Sequence, residues 1–429
     1  MLSFENAPPL SAPLRFFLTA PLFLVAAGLL LAIDGPGLFA SRWMPGTLAL
    51  VHLITLGFML QVMIGALIQV MPVVAGADLG RPLLVARLVH PGLSLGALLL
   101  AAGFLAGSPL LLRLAAVLLA ASIGLFVVNA ARAVLGLPST SPTIRGLKLS
   151  LFGLAGAASL GVVLALGLAH GWRLPYLELT DLHAGWGLAA WAGVLLAAIA
   201  YVVVPMFQLT PGYPARPSWW FPPLILGLVL LWTLAAGAGW PLLVRLSQGG
   251  LVVAGLAFAG LTLRLQLQRR RARADATSRY WQCGLVAAIA ALGMLGAATL
   301  WPPLGDFQAW TPLFAILLLV GTFVSFIAGM LYKIVPFLAW LHLQHGAQVG
   351  MPAPNMNRLL ADPAMQRQLG AHLLALLLLV GAAFVPEWLA RPAGAALAVA
   401  GGWLWWNLVQ AALRYREQAA AIVARQEAA

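Results

Sequence analysis

The sequence predicts an all-α polytopic membrane protein, with twelve transmembrane helices in a pseudo-threefold arrangement of four-helix units. Three observations carry that expectation: an extreme apolar composition, twelve apolar runs of bilayer length, and a proline pattern that returns every four runs. Of 429 residues, 62% are apolar and only 8% are charged, where an ordinary soluble domain carries about 25% charged residues. So few charges leave a water-facing surface uncovered, which excludes a soluble globular enzyme. The formal charge of +13, from 24 Lys and Arg against 11 Asp and Glu, is read as membrane topology, with no nucleic acid as partner. The single cysteine, Cys283, excludes an intrachain disulfide and a thiolate metal cluster.

A membrane-spanning helix needs about 20 mostly apolar residues. Runs of that kind, bounded by proline, glycine and charge, lie near 16–33, 46–71, 82–106, 110–135, 147–169, 182–207, 220–239, 242–264, 280–300, 311–338, 369–389 and 392–413. The first follows a polar, proline-bearing start, Phe4–Pro13, and is long enough to be retained as a span instead of a cleaved signal. The remaining runs follow one another through short connections, so 1–429 is expected to form one transmembrane domain without a soluble domain. The longest connection, 341–368, contains Pro352, Pro354 and Pro363 and is expected to be an irregular loop.

Lysine and arginine in the flanks set the orientation. If the termini and the loops after even-numbered helices share one side, that side collects nineteen basic residues, including Arg15, Arg81, Arg87, Lys148, Arg269–Arg271, Lys333 and Arg416. The other side has five: Arg42, Arg113, Arg173, Arg245 and Arg391. Both termini are therefore expected in the cytoplasm of a bacterial-type inner membrane, with the Arg269–Arg273 run beside anionic lipid headgroups. Trp43, Trp172, Trp240, Trp301 and Trp310 fall at the opposite interface and read as an aromatic belt.

Three segments share a pattern: Gly65–Pro72, Ala198–Pro205 and Gly329–Pro336 each place a small residue seven positions before a proline that follows an apolar pair. They are expected to close helices 2, 6 and 10, making these equivalent inner helices whose small residues admit close neighbours. Two of the three begin with a histidine. His52 lies 20 residues before Pro72, and His183 lies 22 before Pro205, whereas helix 10 has Phe314 or Ile316 at those offsets. Two imidazoles at similar depth near the periplasmic ends point to metal or cofactor binding, because histidine is the commonest metal ligand. Gly57, Gly185 and Gly187 would let a flat macrocycle lie close to the backbone.

Twelve helices, a four-helix period, the motif His52-x-x-x-Leu56-Gly57 with Gln69-x-x-Pro72, and Tyr332-Lys333-Ile334-Val335-Pro336 resemble the haem–copper oxidase subunit I superfamily, which includes nitric oxide reductases. The NnrS-type haem- and copper-containing proteins of nitric oxide stress are a looser comparison, since their histidine-glutamate signature is missing here. The resemblance implies that His52 is an axial haem ligand and that His183 is the nearest counterpart of a copper ligand. It also implies a periplasmic redox partner. The family takes further ligands from helices 7 and 10, but Trp219–Gly239 contains no histidine and His342 and His345 follow helix 10 on the cytoplasmic side. A degenerate member without a complete binuclear site is expected: a haem or haem–copper protein of electron transfer, nitric oxide or gas response, or haem handling, and not a terminal oxidase. The alternative is a cofactor-free transporter or respiratory assembly factor with a path at the repeat interface.

Secondary candidates surround these two histidines. His170 stands as a third ligand or a solvated loop residue, and Asp181 as the carboxylate that orients an imidazole or as a helix-start charge. Met44 and Met59 are the nearest soft atoms for copper, though packing explains both. Lys333 and Gln69 occupy equivalent repeat positions and would share a polar vestibule, with Lys333 snorkelling to the interface. His342 and His345, with Met351 and Met356 nearby, share a helical face that would suit copper transit, while His90 and His372 are placed at the interface.

Overall fold

A computed structural model describes residues 5, 7–270, 274–346 and 355–427. Among the described residues every regular element is helical, and twelve helices are long and apolar enough to cross a membrane. They are α1 (Ser11–Phe39), α2 (Pro45–Ala75), α3 (Pro82–Ala106), α4 (Pro109–Val134), α5 (Pro142–His170), α6 (Tyr176–Gln208), α7 (Ala215–Gly237), α8 (Pro241–Leu267), α9 (Ala276–Leu300), α10 (Trp310–Gln344), α11 (Asp362–Ala382) and α12 (Pro386–Ala424). The protein is a multi-pass membrane protein.

Local chemistry explains the ends. Pro45, Pro82, Pro109, Pro142 and Pro241 open helices where a missing N–H costs nothing. Ser108, Ser141 and Asp275 accept hydrogen bonds from Leu111, Ile144 and Ser278 N–H groups that the first turn would leave orphaned. Gly107 and Gly171 end α3 and α5 in the left-handed conformation.

The peripheral order is α1, α3, α4, α5, α7, α8, α9, α11 and α12, and α12 returns to α1. Inside this ring, α2 packs on α1 and α3, α6 on α5 and α7, and α10 on α9 and α11. Each inner helix thus packs on the helices before and after it, α10 also on α12, and over its most apolar 18-residue window each is more buried, at 72, 56 and 72%, than any helix of the ring. The ring closes where small residues let backbones touch: a Cβ added at Gly28 of α1 would meet the Ala398 nitrogen of α12 at 2.4 Å, and one at Gly394 would meet Ala32.

Each inner helix contains a π-helical stretch, Leu53–Leu60, Gly185–Gly193 and Ile316–Val324. These begin 19, 20 and 20 residues before Pro72, Pro205 and Pro336, so the two features keep register in all three. π-Helix is rare and concentrates at functional sites.

Two sequence expectations change. Pro72 and Pro205 fall in the last turns of α2 and α6, which end at Ala75 and Gln208 as expected, but Pro336 does not close α10, which continues as α-helix to Gln344. An apolar surround and neighbouring helices let α10 pass its proline without ending. The described residues of the connection 341–368 are also largely helical, while Pro352 and Pro354 lie outside the described residues. Ser325–Gly346 extends α10 beyond its apolar run, Met356–Leu359 forms one further turn, and α11 begins at Asp362. Ala339, Leu343 and Leu359 bury themselves against Tyr415, Ala419 and Ile422 of an α12 longer than its apolar run, which explains both extensions. The side chain of His345, and Met351, lie outside the described residues.

Candidate functional site

The first turns of α2 and α6 follow one plan. Pro45–His52 and Tyr176–Ala184 are α-helical, and the backbone then switches to π-helix at Leu53 and Gly185. His52 and His183 each stand seven residues after the first residue of their helix, about 10 Å along its axis. Both therefore lie at an α-to-π junction, deeper than a helix-start position.

The fold brings the two rings together. Their centres are 6.3 Å apart and their planes are 18° from parallel. His52 Nδ1 donates to the Leu48 carbonyl at 2.7 Å, and His183 Nδ1 donates to the Ala157 carbonyl of α5 at 3.0 Å. A carbonyl oxygen only accepts, so both rings carry a proton on Nδ1 and present Nε2 as a lone pair. Among the described residues neither Nε2 has a hydrogen-bond partner. Phe104 of α3 lies beside His52, with 5.4 Å between ring centres. Gly161 of α5 lies against His183, where a Cβ would come within 3.0 Å of the ring Cε1.

Two imidazoles bonded to one metal at about 2.0–2.1 Å each hold their ring centres at most roughly 6 Å apart, in a linear arrangement. The observed spacing lies at that limit, and an Nδ1 proton given to a carbonyl is an arrangement that a metal-binding imidazole uses. Among the described residues no third His, Cys, Asp or Glu completes a cluster of three. The donor set therefore fits a metal ion in a two-imidazole site. The macrocycle slot expected at the glycines is filled instead: a Cβ at Gly57 would strike Phe23 at 2.2 Å, and one at Gly185 would strike Trp232 at 2.5 Å. Only Gly187 keeps ordinary clearance, with Ala157 at 3.9 Å. The two former glycines admit aromatic side chains of neighbouring helices, which accounts for their presence.

The secondary candidates disperse. His170 is exposed and stacks on Trp172 at 5.7 Å, away from any role beside His183. Asp181 pairs with Arg42 at 2.6 Å, so it ties the α1–α2 connection to α6 and does not orient His183, whose partner is the Ala157 carbonyl. Met59 is buried in the core, and Met44 precedes α2. His342 donates from Nδ1 to Leu338 and its Nε2 faces the Pro8 carbonyl, which ties the start of the chain to α10.

Lys333 is paired with Asp275 at 2.7 Å, so an ion pair and not snorkelling alone holds it. Burial alone would raise the Asp275 carboxyl, but Lys333 and Ser278 outweigh it and hold the group below its ordinary value. Gln69 is buried, and its Oε1 has no partner. The two equivalent positions thus have different surroundings.

Neither His90 nor His372 stands at the start of its helix, where the sequence places them. His90 bonds Thr19 of α1 at 2.9 Å from the ninth residue of α3, and His372 is 2% exposed with its Nε2 2.8 Å from Ser325 Oγ of α10. His372 belongs to a buried polar network that sequence reasoning missed. Tyr280 donates to Gln368 Oε1, Gln368 donates to the Ala400 carbonyl at 2.9 Å, and Asn407 donates to the Tyr332 hydroxyl at 2.9 Å. The available signal was single polar residues inside apolar runs on four consecutive helices.

The fold is that of a twelve-helix membrane protein in which two imidazoles, His52 and His183, lie close together between two inner helices. Comparison with protein-family models and with curated proteins gives no match.

Proposed function

We propose that this protein is an oxidase-like membrane metalloprotein, built of three pseudo-equivalent four-helix units, that holds a metal between His52 and His183. The observation that carries the reading is the 6.3 Å, near-parallel placement of two imidazoles whose Nδ1 atoms are both committed to carbonyls. Neutral imidazole suits copper, iron and zinc, and the aromatic filling at Gly57 and Gly185 favours a bare copper ion over haem iron. Copper, when bound, would supply one-electron exchange and reversible coordination of a small gas molecule. The chain's own part is orientation and exclusion: Leu48 and Ala157 fix the tautomers, Gly161 seats the His183 ring, and Phe104 covers one side of His52. Electron transfer or nitric oxide response at the membrane, with a redox partner at the tryptophan-lined face, fits such a site better than terminal oxygen reduction, which needs more ligands than these residues provide.

Metal analysis and copper(I) titration against a chromogenic chelator test the reading. About one copper per chain is expected, lost in both His52→Ala and His183→Ala while the thermal transition survives. A Soret band removed by His52→Ala would move the site to haem. Well-folded protein with neither metal nor haem would overturn the proposal in favour of a transporter or assembly factor. The unpartnered amide oxygens of Gln61 and Gln69 along α2 are the observation that favours this second reading.

A further inference from the structure

A second site lies on the outer surface, at the arginine-rich end of α3. Arg81 and Arg87, with Pro9, Pro82, Leu83 and Leu84, line an open cavity of about 360 Å³. Both arginines are exposed, and among the described residues neither makes a hydrogen bond or an ion pair. Arg15 of α1 stands within electrostatic range of Arg87 and bonds only the Ser11 carbonyl. The carboxylate nearest in sequence, Asp78, accepts from the Gly80 N–H at 2.8 Å and makes no ion pair. Two guanidinium groups therefore line one cavity, with Arg15 close by, and among the described residues neither is paired with an acid.

A second cavity, apolar in its lining, lies on the same helix. One turn further along α3, this groove of about 400 Å³ runs between Leu88, Pro91 and Leu95 of α3 and Leu118 and Leu125 of α4. Its floor is shaped by Gly92, where a Cβ would lie 2.0 Å from Ser122 Oγ, and the Ser122 hydroxyl is already spent on the Leu118 carbonyl. Leu84, Leu88 and Leu95 are 45, 54 and 52% exposed, and with Pro91 their spacing of three and four residues lines them along one face. From Leu84 to Leu95 the stripe rises about 16 Å, close to the roughly 15 Å hydrocarbon depth of one leaflet.

We propose that α3 and α4 form a binding site for one anionic phospholipid, its phosphate between Arg81 and Arg87 and an acyl chain in the groove above Gly92. Charge complementarity selects the headgroup, and the exposed leucine face that runs from Leu84 of the first cavity to Leu88 and Leu95 of the second selects a lipid over a soluble anion. The arginines impose a preference for net negative headgroups, while the groove holds any chain of suitable length.

Native mass spectrometry of the full chain released from detergent, titrated with phosphatidylglycerol or phosphatidylcholine, tests this. One retained phosphatidylglycerol is expected, at least tenfold preferred over phosphatidylcholine. The double variant Arg81→Gln/Arg87→Gln should erase the preference, and Ala121→Trp, at an exposed groove position, should lower retention of both lipids. Arg416→Gln, an exposed arginine elsewhere, should change neither. Equal retention of the two lipids by the unaltered protein, or an unchanged preference in the double variant, would overturn the proposal. So would full displacement of phosphatidylglycerol by inorganic phosphate, which would make the ligand a free anion.

Discussion

The histidine pair and the network around His372 place the same residue type in two parts of one bundle, with opposite consequences. In the network, the polar groups answer one another: Nε2 of His372 meets Ser325, Tyr280 meets Gln368, and Asn407 meets Tyr332. At the pair, only backbone carbonyls are engaged, through Nδ1, and among the described residues both Nε2 atoms are left without a hydrogen-bond partner in rings whose centres are 6.3 Å apart. Satisfied polar groups between helices act as glue in an apolar surround, whereas paired, unspent nitrogens have the chemistry of a ligand set. The contrast separates the units as well, because α10 has the π stretch but no histidine before it.

The largest effect on stability is expected on the network side, at the ion pair that anchors α9 to α10. Asp275 caps α9 through Ser278 and pairs with Lys333, and the two side chains are only 15 and 23% exposed. Asp275→Asn keeps part of the cap but strands a largely buried ammonium, which should cost about 3 kcal/mol. The Asp275 carboxyl is held below its ordinary value in the folded protein. Its stabilisation is therefore complete above the unfolded carboxylate pKa of about 3.9 and is lost as pH falls through the lower folded value. Thermal unfolding in detergent between pH 7 and pH 3 should show this decline in the unaltered protein and a flatter profile in Asp275→Asn. An unchanged slope would remove Lys333–Asp275 from the account of stability.

Substituting the two kinds of histidine alike sharpens the comparison. His372→Leu removes a buried partner of Ser325 and should lower stability by about 1–2 kcal/mol. His52→Leu gives up only a bond to a carbonyl of its own helix and should cost less than about 1 kcal/mol while abolishing metal binding. Denaturation midpoints of the two variants, set beside their copper content, decide it. Equal destabilisation would make His52 a packing residue.

The sequence carried the architecture because the bilayer imposes it. Twelve apolar runs have to be helices when no water satisfies the backbone, and the proline pattern at four-run intervals marked the helices that the structure buries. His52 and His183 were legible as a pair because they lie at similar offsets, 20 and 22 residues, before Pro72 and Pro205. Their fixed tautomers were not, since the Ala157 carbonyl comes from another helix, and neither were the π junctions, which leave no residue signature in Leu53–Leu60 or Gly185–Gly193. Glycine misled for a related reason. Gly57 and Gly185 announce a close approach but not its occupant, and Phe23 and Trp232 come from α1 and α7. The apolar run from 369 puts His372 near a helix start, whereas α11 begins at Asp362 and carries the ring inside.

The smallest effect tests how finely the pair is seated. At Gly161 an added methyl would sit 3.0 Å from Cε1 of His183, tighter than relaxed van der Waals contact, so the ring must yield by a few tenths of an ångström. Packed neighbours resist that shift, and a metal bond is sensitive to ligand direction, so Gly161→Ala should weaken copper binding by roughly tenfold, the low end of losses seen when a ligand's supporting contacts change. Stability should hardly move, because alanine is a better helix former than glycine and offsets part of the crowding. Gly153, two turns away on α5, makes the control informative. A Cβ there would strike the Ala190 carbonyl oxygen at 2.3 Å, so Gly153→Ala should separate α5 from α6 and unfold the protein more readily. Copper titration and thermal unfolding on both variants then distinguish a seat from a seam: affinity falls with stability intact at Gly161, and stability falls first at Gly153. If Gly161→Ala left copper affinity unchanged, the His183 ring would not be held by α5, and the Ala157 carbonyl alone would have to orient it.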